Sequence, residues 1–111
     1  MPDIRELTPL EFRQKWADPG SRDAVVLLDV REHAELELAR IEGALHIPMH
    51  EIPQRIDELD PGKELVCICH GGGRSRRVAE YLVAQGFTRV INLTGGIDAW
   101  SVHVDPGVPR Y

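Results

Sequence analysis

The chain has 111 residues, 42% of them hydrophobic and 28% charged, with a formal net charge of -5 at pH 7. This length suits one domain, expected over 1–111, with an apolar core of useful size, and the composition excludes wholesale disorder. The negative balance argues against a general nucleic-acid binder, while a local basic site stays open because an anion responds to the nearby field.

Met1 to Glu6 shows no basic segment leading into an apolar stretch, so no secretory signal is expected. The longest apolar run, Ala24 to Leu28, is far too short for a membrane span. Thr8-Pro9-Leu10-Glu11 forms a capping box with proline at the first helical position. The helix it opens is predicted to reach about Ala17, offering Leu10, Phe12 and Trp16 to a core, and Asp18-Pro19-Gly20-Ser21 ends it. Ala24 to Val30 reads as a strand buried on both faces. Arg31 to Ala39 is predicted as a short helix and Gly43 to Pro48 as a brief strand stopped by proline. Ile52, Ile56 and Leu59 predict a helix over His50 to Leu59, followed by a turn at Asp60-Pro61-Gly62-Lys63.

Glu64 to Cys69 is the next apolar strand. Ser75 to Gln85 carries Val78, Ala79, Leu82 and Val83 on one helical face and stops at Gly86. Val90 to Leu93 makes another strand, Gly95-Gly96 breaks it, and Ile97 to Trp100 begins a last helix; the tail, 104–111, is expected to be extended. Alternating strands and helices define an α/β fold with a small, mostly parallel central sheet covered by helices on both faces. Ligands of such sheets bind beyond the carboxyl ends of the strands.

One segment puts reactive side chains at that position: Cys69-His70-Gly71-Gly72-Gly73-Arg74-Ser75. A cysteine ends a strand, glycines let successive N–H groups turn toward one spot, and a helix N-terminus adds partial positive charge. Arg74 contributes a permanent cation, and Arg76 and Arg77 follow. A thiol in this setting ionises more readily, which marks Cys69 as a nucleophile. Cys67 is read as a core residue. A Cys67–Cys69 disulfide is disfavoured, since two residues along a strand put the Cα atoms about 6.6 Å apart with parallel side chains. Reduced thiols fit a cytoplasmic protein.

These residues resemble the active-site loop of the rhodanese sulfurtransferases, in which cysteine and arginine flank four residues. Leu28-Asp29-Val30-Arg31-Glu32, Ile41-Glu42-Gly43-Ala44-Leu45-His46-Ile47-Pro48, Gly86-Phe87 with Val90, and Leu93-Thr94-Gly95-Gly96-Ile97-Asp98-Ala99-Trp100 resemble its other motifs in order. The resemblance implies that Cys69 takes sulfane sulfur from thiosulfate or a persulfide and passes it to a thiol or cyanide. It also implies that the loop from His70 through Gly71, Gly72, Gly73 and Arg74 to Ser75 cradles the sulfur, with no metal and no organic cofactor. Asp29 and Arg31 would brace the loop from a neighbouring strand end. Partners would be a small sulfur donor and acceptor or a protein serving as either, with no nucleic acid and no membrane. Glu42 stands where the family more often has proline, and Ala39-Arg40 replaces a histidine-containing pair. His70 is the one cation candidate inside the loop, which favours a persulfide donor as much as thiosulfate.

Two other classes stay in view. Phosphatases and arsenate reductases on this scaffold hold five residues between cysteine and arginine, whereas four remain here, a cradle too tight for phosphate. A sulfur carrier serving one partner enzyme would need the same loop. His70-Gly71-Gly72-Gly73 lacks the Gly-x-Ser-x-Gly elbow of esterases, the glycines precede no Gly-Lys-Ser/Thr, and Cys67-x-Cys69-His70 lacks a fourth zinc ligand. His46 is expected to be a hydrogen-bonded structural histidine.

Overall fold

The computed structural model describes residues 4–16 and 23–111. Strands β1 (Arg5–Leu7), β2 (Val25–Asp29), β3 (Leu45–His46), β4 (Glu64–Ile68) and β5 (Val90–Leu93) alternate with helices α1 (Pro9–Lys15), α2 (His33–Leu38), α3 (Ile52–Arg55), α4 (Gly73–Ala84) and α5 (Gly96–His103). The strands form one five-stranded sheet in the order β1-β5-β4-β2-β3, and every pairing is parallel. The expected α/β architecture is therefore the observed one.

Side-chain alternation along the strands sorts the core into two layers. Val25, Leu27, Val66, Ile68, Ile91 and Leu93 meet Phe12, Trp16, Ile97 and Trp100 on the face covered by α1 and α5. Leu28, Leu65, Cys67 and Val90 face Ile52, Val78 and Leu82 on the side of α3 and α4. Asn92 is level with Cys67 across the β4–β5 pair. It therefore shares the α4 face and brings a buried amide under the start of that helix.

The Thr8 box forms as expected: Glu11 N–H donates to Thr8 Oγ1 at 3.2 Å and Thr8 N–H to Glu11 Oε1 at 2.9 Å. Phe12 and Trp16 are buried, but Leu10 is 45% exposed, because it lies on the outer face of α1. Trp16 caps the helix; Ala17 and the turn read at Asp18 to Ser21 lie outside the described residues. The single helix expected over His50 to Leu59 is instead a 3-10 turn at Met49–Glu51, α3, and a second 3-10 turn at Ile56–Glu58. Pro53 supplies no N–H, so a regular ladder cannot run through this segment. Ile52 and Leu59 are nevertheless buried as their spacing required. β1 is an element the sequence reading did not provide. The tail is not simply extended: it turns at Asp105 to Val108, where Val108 N–H donates to the Asp105 carbonyl at 3.0 Å, and folds back onto the domain. No helix among the described residues is long and apolar enough to cross a membrane.

Candidate active site

Cys69 is the first residue past β4, at the carboxyl edge of the sheet, and is only 1% exposed. The chain then turns sharply at Gly72, the N-cap of α4, whose φ of +107° is a left-handed value that favours glycine. Gly71 and Gly73 have negative φ, and a Cβ on either would meet nothing within 4 Å, so the turn depends on the middle glycine alone.

A glycine N-cap has no side chain to satisfy the first amides of the helix, and the thiol takes that place. Gly72 N–H donates to Cys69 Sγ at 3.1 Å, and Ser75 Oγ lies 3.4 Å from the sulfur. Burial opposes ionisation of Cys69. Hydrogen bonds from the Ser75 hydroxyl and from the amides of Ser75, Gly72 and Arg74 outweigh it and bring the thiol below its ordinary value. Cys67, fully buried and beside the Cys69 charge, is pushed up to about 12. The core role expected for Cys67 agrees with its burial.

Inward amides require outward carbonyls, and the fold takes up those carbonyls from outside. The N-terminus of α5 supplies two donors: Ile97 N–H to Cys69 O at 2.9 Å and Asp98 N–H to His70 O at 3.1 Å. Because N–H and C=O of a trans peptide point in opposite directions, the next two N–H groups turn away from α5. Gly96 allows this approach, since a Cβ there would collide with the carbonyls of Cys69 and His70. Asn92 Nδ2 donates to Gly72 O at 3.1 Å and to both oxygens of Glu6 at 3.2 Å, while its Oδ1 lies 2.5 Å from Ser75 Oγ, for whose single proton this oxygen and the Cys69 sulfur compete. With three acceptors around Nδ2, the amide has one orientation that satisfies every atom.

Arg74 is at the end of the loop as expected, but its guanidinium is already paired. Nη1 and Nη2 each lie 2.7 Å from a Glu35 oxygen. The Arg74 bonds are the main reason the Glu35 carboxyl is lowered to about 2. Asp29 and Arg31 form a fully buried pair: Arg31 Nη2 lies 2.7 Å from Asp29 Oδ2, and Nε bonds both Asp29 oxygens. Arg31 also donates to the carbonyls of Glu35 and Ala39. The pair thus holds α2 and, through Glu35, reaches Arg74; it makes no hydrogen bond to the loop itself. His46 Nε2 lies 2.6 Å from the Arg31 carbonyl, the structural bond expected of it.

Gly96, Ile97, Asp98, Asn92, Glu35 and Tyr111 belong to the site although none was read as a site residue. The Tyr111 ring stacks on His70, with centroids 4.4 Å apart.

A strand-end cysteine cradled by helix amides matches what comparison with known proteins returns. The family described as "Rhodanese-like domain" matches residues 8–103, and the chain belongs to that family. The chain is similar to a protein of Allochromatium vinosum named "Sulfurtransferase", 39% identical over 100 residues that cover 90% of this chain and 91% of that one. "Thiosulfate sulfurtransferase GlpE" of Glaesserella parasuis is 37% identical over 95 residues, covering 86% and 84%. Longer proteins also contain the domain: the chain spans 38% of the Arabidopsis thaliana "Rhodanese-like/PpiC domain-containing protein 12, chloroplastic", at 38% identity and with 97% of this chain covered. A "Rhodanese-like Domain Protein from Staphylococcus aureus" superposes with a TM-score of 0.80 at 31% identity, covering 97% of this chain and 99% of that one. Sulfur transfer is the activity these relatives support.

Proposed function

We propose that the protein is a sulfurtransferase that carries sulfane sulfur as a persulfide on Cys69. The Cys69 thiolate attacks the outer sulfur of thiosulfate or of an organic persulfide. The old S–S bond breaks, and sulfite or the donor thiolate leaves with the electron pair. A thiolate or cyanide then attacks the outer sulfur of the Cys69 persulfide, and Cys69 leaves as thiolate, ready for the next donor. Both half-reactions place negative charge at the loop, on Sγ or on the outer sulfur, and fixed dipoles stabilise such charge without reorganising.

The observation that carries this reading is the sulfur of Cys69 lying at the N-terminus of α4, with Gly72 N–H at 3.1 Å and Ser75 Oγ at 3.4 Å. His70 to Ser75 form the cradle in this reading, and Asp29 with Arg31 supports it from behind. A small donor and a protein-borne donor serve these steps alike. The test is an intact mass after incubation with thiosulfate and, separately, with glutathione persulfide. A gain of one sulfur that dithiothreitol removes is expected, and it should vanish in Cys69→Ser. An unchanged mass with every donor, or the same gain in Cys69→Ser, refutes the reading. An aryl phosphate should turn over at background, as the four-residue loop demands.

A further inference from the structure

We infer that Tyr111 is a specificity-determining residue that caps the Cys69 loop, passing reactants whose reacting sulfur sits on a slim chain and slowing those with bulk beside it. The capping stands on geometry alone; what passes beneath the cap rests on the sulfur-transfer reading.

After α5 the chain turns at Asp105 to Val108, where Gly107 N–H donates to Asp105 Oδ1 at 3.0 Å and Val108 packs against the α1–α5 core layer. Arg110 then grips Asp98, with Nε to Oδ1 at 2.8 Å and Nη2 to Oδ2 at 3.1 Å. Asp98 is the residue whose amide holds the His70 carbonyl. These ties bring Tyr111 back across the carboxyl end of the sheet.

There the ring lies on His70, 27° from parallel, and the phenol accepts from Arg31 Nη1 at 2.8 Å and donates to Glu35 Oε1 at 3.0 Å. Glu35 is the carboxylate clamped by Arg74. Tyr111 therefore touches the first residue after the nucleophile and, through one carboxylate, the arginine at the far end of the loop. A single side chain thus links both ends of the loop, and Cys69 between them is 1% exposed. Tyr111 itself is 37% exposed and is held by one ring stack, two hydrogen bonds and a cation–π contact with Arg31 at 5.7 Å rather than by core packing. It can move aside without unfolding the domain.

The test is the alkylation rate of Cys69 at a pH where the thiol is ionised, read by mass, with iodoacetamide as the small probe and fluorescein maleimide as the bulky one. Tyr111→Ala should speed the bulky reagent at least about tenfold, the scale set by losing hydrogen bonds to charged partners and a ring stack, and the small reagent clearly less. Tyr111→Phe, which keeps the stack, should fall between, and Arg110→Ala should act in the same direction more weakly. The pH midpoint of alkylation should not move, since Tyr111 makes no bond to Sγ. Equal acceleration of both reagents together with a shifted midpoint would overturn the proposal, as would a bulky-reagent rate unchanged in Tyr111→Ala. A wild-type protein that takes no sulfur from any donor yet shows this alkylation pattern would refute the sulfur-transfer reading and leave the cap in place.

Discussion

Cys67 and Cys69 lie two residues apart on the same side of the sheet, yet their thiols are driven in opposite directions. Cys67 is fully buried in the core layer beside the charge of its neighbour; Cys69, one step beyond the strand, meets helix amides. Iodoacetamide near neutral pH should therefore give a single adduct, mapped to Cys69 by peptide mass. Its rate should rise with pH through a midpoint below the value of about 8.5 for a free thiol. Cys67 should react only in denaturant. A midpoint at or above the free-thiol value would remove the amide cradle from the explanation.

The Glu35–Arg74 pair makes a prediction at acid pH. The Arg74 bonds lower the Glu35 carboxyl to about 2 in the folded protein, against 4.5 for an ordinary glutamate. A lowered carboxyl contributes stability that is present above the unfolded value and lost as pH falls through the folded one. Urea unfolding should find Glu35→Gln less stable than wild type by about 1 kcal/mol at pH 7, since both partners are partly solvated. That gap should close between about pH 4.5 and pH 2. A gap independent of pH would mean that the carboxylate charge is not what Arg74 binds.

Gly96 and Gly71 offer a matched pair. Gly96→Ala places a methyl against the carbonyls of Cys69 and His70 at φ +59°. It should cost about 2 kcal/mol or more and depress Cys69 reactivity. Gly71→Ala fills open space at an ordinary φ and should stay within about 0.5 kcal/mol of wild type. Equal costs in denaturant unfolding would contradict the backbone account of the loop.

Arg31 is the centre of the hydrogen-bond network behind the loop. It is fully buried and donates to Asp29, to the Glu35 and Ala39 carbonyls and to Tyr111. Arg31→Ala leaves the Asp29 charge buried and unpaired and should cost about 3–5 kcal/mol. Asp29→Asn together with Arg31→Met should recover much of that loss in thermal unfolding; no recovery would mean the pair matters through α2 rather than through charge.

Much of this was legible in the chain itself. The strand, cysteine, glycine and helix order of 64–85 picked out Cys69 as the candidate nucleophile, and apolar runs gave four of the five strands. β1 escaped because Arg5-Glu6-Leu7 is three residues with little apolar content, and an edge strand earns its state from its partner β5. Gly95-Gly96 was read as a break, while its other duty is close approach to the loop. Glu35, Asn92 and Tyr111 were invisible as site residues because their bonds are long-range. Glu35 reaches Arg74 across 39 positions, Ser75 reaches Asn92 across 17, and Tyr111 reaches Glu35 across 76. Arg74 was read as a permanent cation at the loop, without its Glu35 partner, since local sequence cannot reveal a distant carboxylate.

The order in which these supports occur along the chain has a consequence for biosynthesis. A ribosome makes Cys69 before it makes Asn92, the α5 amides of Ile97 and Asp98, or Tyr111, and each of these fastens a different part of the loop. A nascent chain that has emerged only through α4 holds Cys69 without those fastenings. The support of the loop is thus finished only once residues 92–98 have been synthesised and docked, and the Tyr111 contact forms later still, so a shorter translation product carries the cysteine but not the finished cradle.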